Sequence, residues 1–154
     1  MARAVEPTLL IVEDSPEDLE ATLRALARSG RDRRIAHCAD GDEALDYLRR
    51  RGRYSKPDAA PRPALVLLDL NLPGTDGREV LTEIKADESL RTIPVVVLTT
   101  SADRGDVEAC YRAGASGYVQ KPVAHEDLVV RMRRTEEFWL DTVEPPTPEG
   151  VGAR

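Results

Sequence analysis

The 154-residue chain is long enough to bury one full core and short enough to form a single domain. Its 41% hydrophobic and 32% charged residues describe an ordinary globular protein, and the net charge of −6 argues against a nucleic-acid or membrane-surface binder, which favours basic faces. The opening "MARAVEPTLL" lacks the apolar core of a signal peptide and no run reaches membrane-span length, so a cytoplasmic protein is expected. Cys38 and Cys110 are far apart and match no metal-ligand spacing, which predicts two free, buried thiols. His37 and His125 have no Cys or His partner at ligand spacing, so zinc is not expected, and no Ser-His-Asp or Cys-His arrangement is visible.

"TLLIVED" (Thr8 to Asp14) reads as a buried strand ending in two acids. Ser15 is placed to cap a helix, with Pro16 at its first position, acids in its first turn, and Leu19, Leu23 and Leu26 at helical spacing before Gly30. "RIAHC" is a second strand. Asp40 to Arg51 is a second helix, with Asp40 and Glu43 at capping-box spacing and Ala44, Leu45 and Leu48 turned inward. Residues 52–63, "GRYSKPDAAPRP", form a proline-rich polar loop without periodicity.

"ALVLLD" is the third strand, and a third helix follows Asp76 and buries Val80, Leu81 and Ile84. "IPVVVLTTS" is a fourth strand rich in β-branched residues. A helix over Asp103 to Ala113, a fifth strand "SGYVQ" and a last helix from Ala124 to Leu140 complete the pattern. The folded domain is expected to span 8–140, with flexible ends over 1–7 and 141–154. Alternating strands and helices predict an α/β fold whose parallel sheet is covered on both faces, which explains the continuous apolar runs.

All strands of such a sheet end at one edge, where ligands bind. Glu13 and Asp14 end strand one, Asp69 ends strand three, Thr99 ends strand four and Lys121 follows strand five. Carboxylates gathered there repel each other by about 4 kcal/mol per close pair at an effective dielectric of 20. A divalent cation offsets that cost, and an oxygen-only donor set suits Mg2+. Lys121 adds a positive charge and the Thr99 hydroxyl can donate to a phosphoryl oxygen, which makes an anion pocket around a nucleophilic Asp69.

"VED" after strand one, "LLDLNLPGTDG" around Asp69, "VVVLTT" at strand four and "AGASGYVQKP" at strand five together resemble the receiver domain of two-component response regulators, over Thr8 to Leu140. The resemblance implies a flavodoxin-like, doubly wound sheet of order 2-1-3-4-5. It implies that Asp69 receives a phosphoryl group from a phosphohistidine on a sensor histidine kinase. Asp14, Asp69 and the Asn71 backbone carbonyl would hold Mg2+, with Glu13 assisting directly or through water. Lys121 would pair with the phosphoryl oxygens, and Thr99 would swing toward the phosphate while Tyr118 turns inward as the coupled switch. The same resemblance implies a cis Lys121–Pro122 bond. It makes the chain a signalling protein that assists its own phosphorylation and dephosphorylation rather than an enzyme.

Plainer readings stand beside these. Asp69 alone could end a strand, Tyr118 could be a half-buried strand aromatic, and Thr99 a β-branched core residue; Gly74 and Gly77 serve the turn after Pro73 whatever the function. Glu13 stands where the family often has aspartate, and Thr100 stands where many relatives carry a smaller residue beside the phosphate. A haloacid-dehalogenase-like phosphatase normally has Asp two residues after its nucleophile, but that position is Asn71. A pseudo-receiver that works without phosphorylation would be favoured by a missing acid or lysine, and all are present.

Few residues follow the last helix, so no DNA-binding unit is expected and output would pass through the receiver surface. Leu128, Met132, Thr135 and Trp139 share the inward face of that helix. Phe138 and Leu140 flank Trp139 on other faces, and the cluster is either local packing or a homodimer contact through the fourth and fifth helices. The signal would then pass through a conformational or dimerisation change of the face formed by the fourth helix, fifth strand and fifth helix. "LLDLNLPGTDGREVL…IKAD", "IPVVVLTTS", "FWL" and the extended 52–63 loop most resemble the small stand-alone regulators paired with phytochrome-type kinases, which makes such a kinase the expected partner.

Overall fold

Apolar runs and helical periodicities alternate along the chain, and the computed structural model, which describes residues 6–146, builds them into strands and helices in that order. β1 (Thr8–Val12), α1 (Pro16–Ala27), β2 (Arg34–Cys38) and α2 (Gly41–Arg49) are followed by a single 3-10 turn, Gly52–Tyr54. β3 (Leu65–Leu68), α3 (Gly77–Ala86), β4 (Val95–Thr99), α4 (Arg104–Arg112), β5 (Gly117–Gln120) and α5 (His125–Glu136) complete the fold. The strands form one parallel sheet of order β2-β1-β3-β4-β5. The expected doubly wound α/β architecture is the one observed.

Side chains that alternate along the strands feed two separate cores. Leu10, Val12, Val66, Leu68, Val95 and Val97 pack with α2, α3 and Cys110 of α4. Leu9, Ile11, Leu65, Leu67, Val96 and Leu98 pack with α1 and α5 on the other face. Each fully buried aliphatic side chain contributes about 1.5–3 kcal/mol, so strands apolar on both faces are what this sandwich requires. Both cysteines are free and buried, as expected.

The helix starts follow their capping residues. Ser15 Oγ accepts the Asp18 N–H at 3.3 Å and Asp40 Oδ1 accepts the Glu43 N–H at 2.7 Å, while Glu43 reaches back to the Ala39 N–H. The 52–63 segment is more than a polar loop. Tyr54 meets Tyr47 edge to face with ring centroids 5.1 Å apart, the Tyr47 hydroxyl donates to the Pro61 carbonyl at 2.8 Å, and Ala60 is buried.

The last helix widens into a π-helical end over Glu137–Thr142. There the Val143 N–H donates to the Phe138 carbonyl at 3.1 Å, a bond spanning five residues. The wider turn brings Leu140 together with Trp139 against the α1/α5 core, a correction to the expectation that they lie on different faces. Phe138 stays 49% exposed, its ring 5.0 Å from that of Trp139. The helical end runs through Asp141, which pairs with Arg31. Of the termini expected to be flexible, residues 1–5 and 147–154 lie outside the described residues.

Beneath this end Glu136 is 1% exposed, its Oε2 2.8 Å from Arg33 Nε and its Oε1 3.2 Å from Ser29 Oγ. This pair ties the turn after α1 to the end of α5. Glu136→Ala, which strands the arginine, is expected to lower stability by about 3–5 kcal/mol, and Arg33→Met/Glu136→Leu to recover most of that loss. Urea denaturation midpoints check both.

Candidate functional site

The ladder of sheet hydrogen bonds continues one step beyond the apolar strands, and that step holds the polar residues at the sheet's C-terminal edge. The Glu13 N–H donates to the Cys38 carbonyl at 3.0 Å, the Asp69 N–H to the Val12 carbonyl at 3.1 Å and the Lys121 N–H to the Thr99 carbonyl at 2.7 Å. Oxygens of Glu13, Asp14 and Asp69 thereby come within 4.8 Å of one another. Glu13 is 4% exposed and Asp69 7% exposed, whereas Asp14 faces solvent.

The Lys121 ammonium sits among these groups. Its Nζ lies 2.5 Å from Glu13 Oε1, 3.0 Å from Asp18 Oδ2 and 3.2 Å from Asp69 Oδ2. Burial works against the charged lysine, but the hydrogen bond to Glu13 and the charges of Asp69 and Glu13 outweigh it and hold its pKa above the ordinary lysine value. Glu13 moves the other way. Burial raises its pKa to about 7, with the hydrogen bond from Lys121 opposing and the neighbouring Asp69 assisting.

The turn after Asp69 is held by close backbone approach. The Gly77 N–H donates to the Leu70 carbonyl at 3.0 Å, and a Cβ on Gly77 would collide with the Asp69 carbonyl and Leu70 Cα. Gly74 takes φ +68, which a residue with a side chain adopts only at a cost. The Asn71 N–H donates to Asp69 Oδ1 at 3.3 Å, which leaves Oδ2 to the lysine.

Thr99 is fully buried, and its hydroxyl is without a hydrogen-bond partner among the described residues. An unsatisfied buried hydroxyl costs about 1–3 kcal/mol, so this orphan donor at the sheet edge suits an incoming oxyanion. Thr100 is exposed beside it. Tyr118 is half-buried against the α2/α3/α4 core, and its hydroxyl donates to the Ser101 carbonyl at 2.9 Å. The Lys121–Pro122 bond is trans, since no peptide bond among the described residues is cis. The expected cis bond is therefore corrected; trans is intrinsically favoured by about 0.5–1 kcal/mol, a margin so small that the local sequence does not decide the isomer.

The carboxylate trio fits a hard divalent cation of the Mg2+ kind, being oxygen-only and partly open to water through Asp14. Acids and one lysine converge at the sheet edge where β4 also ends in an orphan hydroxyl, an arrangement that suits a cation and a phosphoryl group side by side. Residues 9–133 match the response regulator receiver domain, and the chain belongs to that family. Response regulator Rcp1 of Synechocystis sp. is 44% identical over 138 residues, covering 90% of this chain and 92% of Rcp1. A crystal structure of the Mn2+-bound form of Rcp1 has a TM-score of 0.84 at 42% identity, covering 92% of this chain and 99% of that one. The phosphorylated cyanobacterial phytochrome response regulator RcpA has a TM-score of 0.86 at 41% identity, covering 93% and 100% of the two chains. The probable methanogenesis regulatory protein FilR2 of Methanothrix harundinacea is 41% identical over 140 residues, covering 91% of this chain and 88% of FilR2. The chain is thus a receiver related to phytochrome response regulators.

Some site residues escape a strand-end reading. Asp18 was legible only as a first-turn acid of α1, and only the packing of α1 brings it to Lys121. Arg78, at the start of α3, holds Asp106 of α4 at 2.9 Å, and Asp106 accepts at 2.7 Å from the Oγ of Ser101, the same residue whose carbonyl receives the Tyr118 hydroxyl. Phe138, Trp139 and Leu140 are not part of this cluster; they lie with the end of α5 that Glu136 ties to Ser29, past the far end of α1 from Asp18.

A proton on Glu13 competes with a bound cation. With its pKa raised to about 7, Mg2+ affinity should be flat above that pH and weaken below it, by about tenfold between pH 8 and pH 6. Isothermal titration calorimetry reads this directly, and Glu13→Gln should flatten the profile.

Proposed function

We propose that the chain is a cytoplasmic phosphoryl acceptor in which Asp69 takes a phosphoryl group from a histidine kinase in a Mg2+-dependent reaction. The observation that carries this reading is Asp69 Oδ2 placed 3.2 Å from Lys121 within a carboxylate trio, at the sheet edge where β4 ends in a Thr99 hydroxyl unpartnered among the described residues. A carboxylate oxygen of Asp69 attacks phosphorus, the P–N bond of the phosphohistidine breaks, its electron pair leaves with the imidazole ring, and an acyl phosphate forms. Asp14, Asp69 and the Asn71 carbonyl, with Glu13 directly or through water, would hold Mg2+, which neutralises charge on the transferring oxygens. Lys121 meets a phosphoryl oxygen, and Thr99 donates to another, which satisfies its hydroxyl. Thr100, exposed and next to Thr99 in the chain, would add a second hydroxyl for the phosphoryl group. Movement of Thr99 frees space toward which Tyr118 turns, exchanging its bond to Ser101.

Similarity to Rcp1 and RcpA supports a phytochrome-type kinase as the donor. The exposed Phe138 ring against Trp139, beside Leu140, supports a homodimer contact at the end of α5. Asn71 two residues after Asp69 disfavours a haloacid-dehalogenase-like phosphatase, and the complete acid and lysine set disfavours a phosphorylation-independent pseudo-receiver.

Incubated with Mg2+ and acetyl phosphate, the protein should gain one phosphoryl group by intact mass, and Asp69→Asn should gain none. Labelling that survives Asp69→Asn, or turnover of phosphate esters, would reject the acceptor assignment. Lys121→Ala should slow labelling by about 10²-fold, the loss typical of one oxyanion-stabilising donor. Transfer from a phytochrome-type kinase should outpace transfer from an unrelated histidine kinase under matched conditions. Phe138→Asp should shift the sedimenting species from dimer to monomer; an unchanged dimer rules out this contact.

A further inference from the structure

The Lys121 ammonium has three carboxylate neighbours, and two of them, Glu13 and Asp69, also belong to the candidate cation trio. Asp18 does not. Its Oδ2 lies 3.0 Å from Nζ, and it comes from the first turn of α1 instead of a strand end. That turn is rigidly started: Ser15 caps it, Pro16 occupies the first helical position, and the Asp18 N–H donates to Ser15 Oγ at 3.3 Å. Asp18 is 43% exposed while the lysine it touches is 9% exposed, so the pair spans the mouth of the pocket.

This division of partners matters when a cation binds. Glu13 and Asp69 then share their negative charge with the metal, and their hold on the ammonium weakens. A lysine is a point charge on a flexible stem and has no planar fork to orient it. Asp18, outside the cation trio, is the neighbour that keeps its full charge for Lys121. We infer that Asp18 is a positioning residue: it holds the Lys121 ammonium beside Asp69 while the other two carboxylates engage the cation, so that the phosphoryl group meets a charge already in place. This inference rests on the acceptor reading of Asp69.

The test uses acetyl phosphate as donor, so that no kinase-docking surface enters, and initial rates of phosphoryl gain by intact mass at saturating Mg2+. Asp18→Ala should be slower than wild type by about tenfold, a loss typical of a misplaced catalytic group, and Asp18→Glu should recover most of the rate. Mg2+ affinity measured by calorimetry should stay within about twofold of wild type, because Asp18 is not among the cation ligands. In a Lys121→Ala background Asp18→Ala should have no further effect. Asp18→Asn, nearly isosteric, serves as the neutral variant if the alanine protein unfolds. An unchanged or faster rate, an equal loss without Lys121, or a loss explained by weaker Mg2+ binding overturns the inference. Those outcomes with a labelled wild type leave the acceptor reading standing, whereas a wild type that takes no phosphoryl group, or takes it without Asp69, overturns both.

Discussion

The ion web around Lys121 is the constraint on which the site depends. Glu13 and Asp69 are buried just past the ends of neighbouring strands, an arrangement that like-charge repulsion and desolvation both oppose. The ammonium from beyond β5 offsets part of this cost, and the raised Glu13 pKa records what remains. A site poised in this way favours any event that brings positive charge to the carboxylates. It also explains why the surrounding backbone is held so closely, by the ladder bonds at Val12, Cys38 and Thr99 and by the contact that only a glycine at position 77 permits.

From this edge a chain of contacts runs outward along one face. Thr99 leads through the β4–α4 loop to Ser101, which receives the Tyr118 hydroxyl at its carbonyl and gives its own hydroxyl to Asp106. Asp106 is held by Arg78 at the start of α3, on the far side of the turn that follows Asp69. The hydrogen bond from Ser101 and the Arg78 guanidinium both keep the Asp106 pKa below the usual carboxylate range. The loop that would respond to a phosphoryl group at Asp69 is therefore tied to two helices and to the aromatic residue on β5. The opposite end of the molecule is closed independently by the Arg33–Glu136 pair.

The fold alone does not select a function, since doubly wound sheets host many chemistries. The selection comes from the site. An acid two residues after Asp69 would equip a phosphatase with a general acid, and that position is an exposed asparagine whose N–H serves the Asp69 carboxylate instead.

Strand and helix order, both buried faces, the turn glycines and the set of strand-end residues were all legible along the chain, because each rests on local periodicity or on the rule that parallel strands share one edge. The proximity of Asp18 to Lys121 was not, since these residues are 103 positions apart and meet only through the packing of α1 against α5. The Arg33–Glu136 pair, the Arg78–Asp106 link and the π turn that seats Leu140 with Trp139 likewise arise from how helices dock. The 52–63 loop shows the same limit, because its isolated Tyr54 and Ala60 carry no period and gain a role only where α2 and the core receive them. Covalent order specifies which face each element buries; where charged side chains from different elements meet is set by packing, whose distances no spacing along the chain encodes.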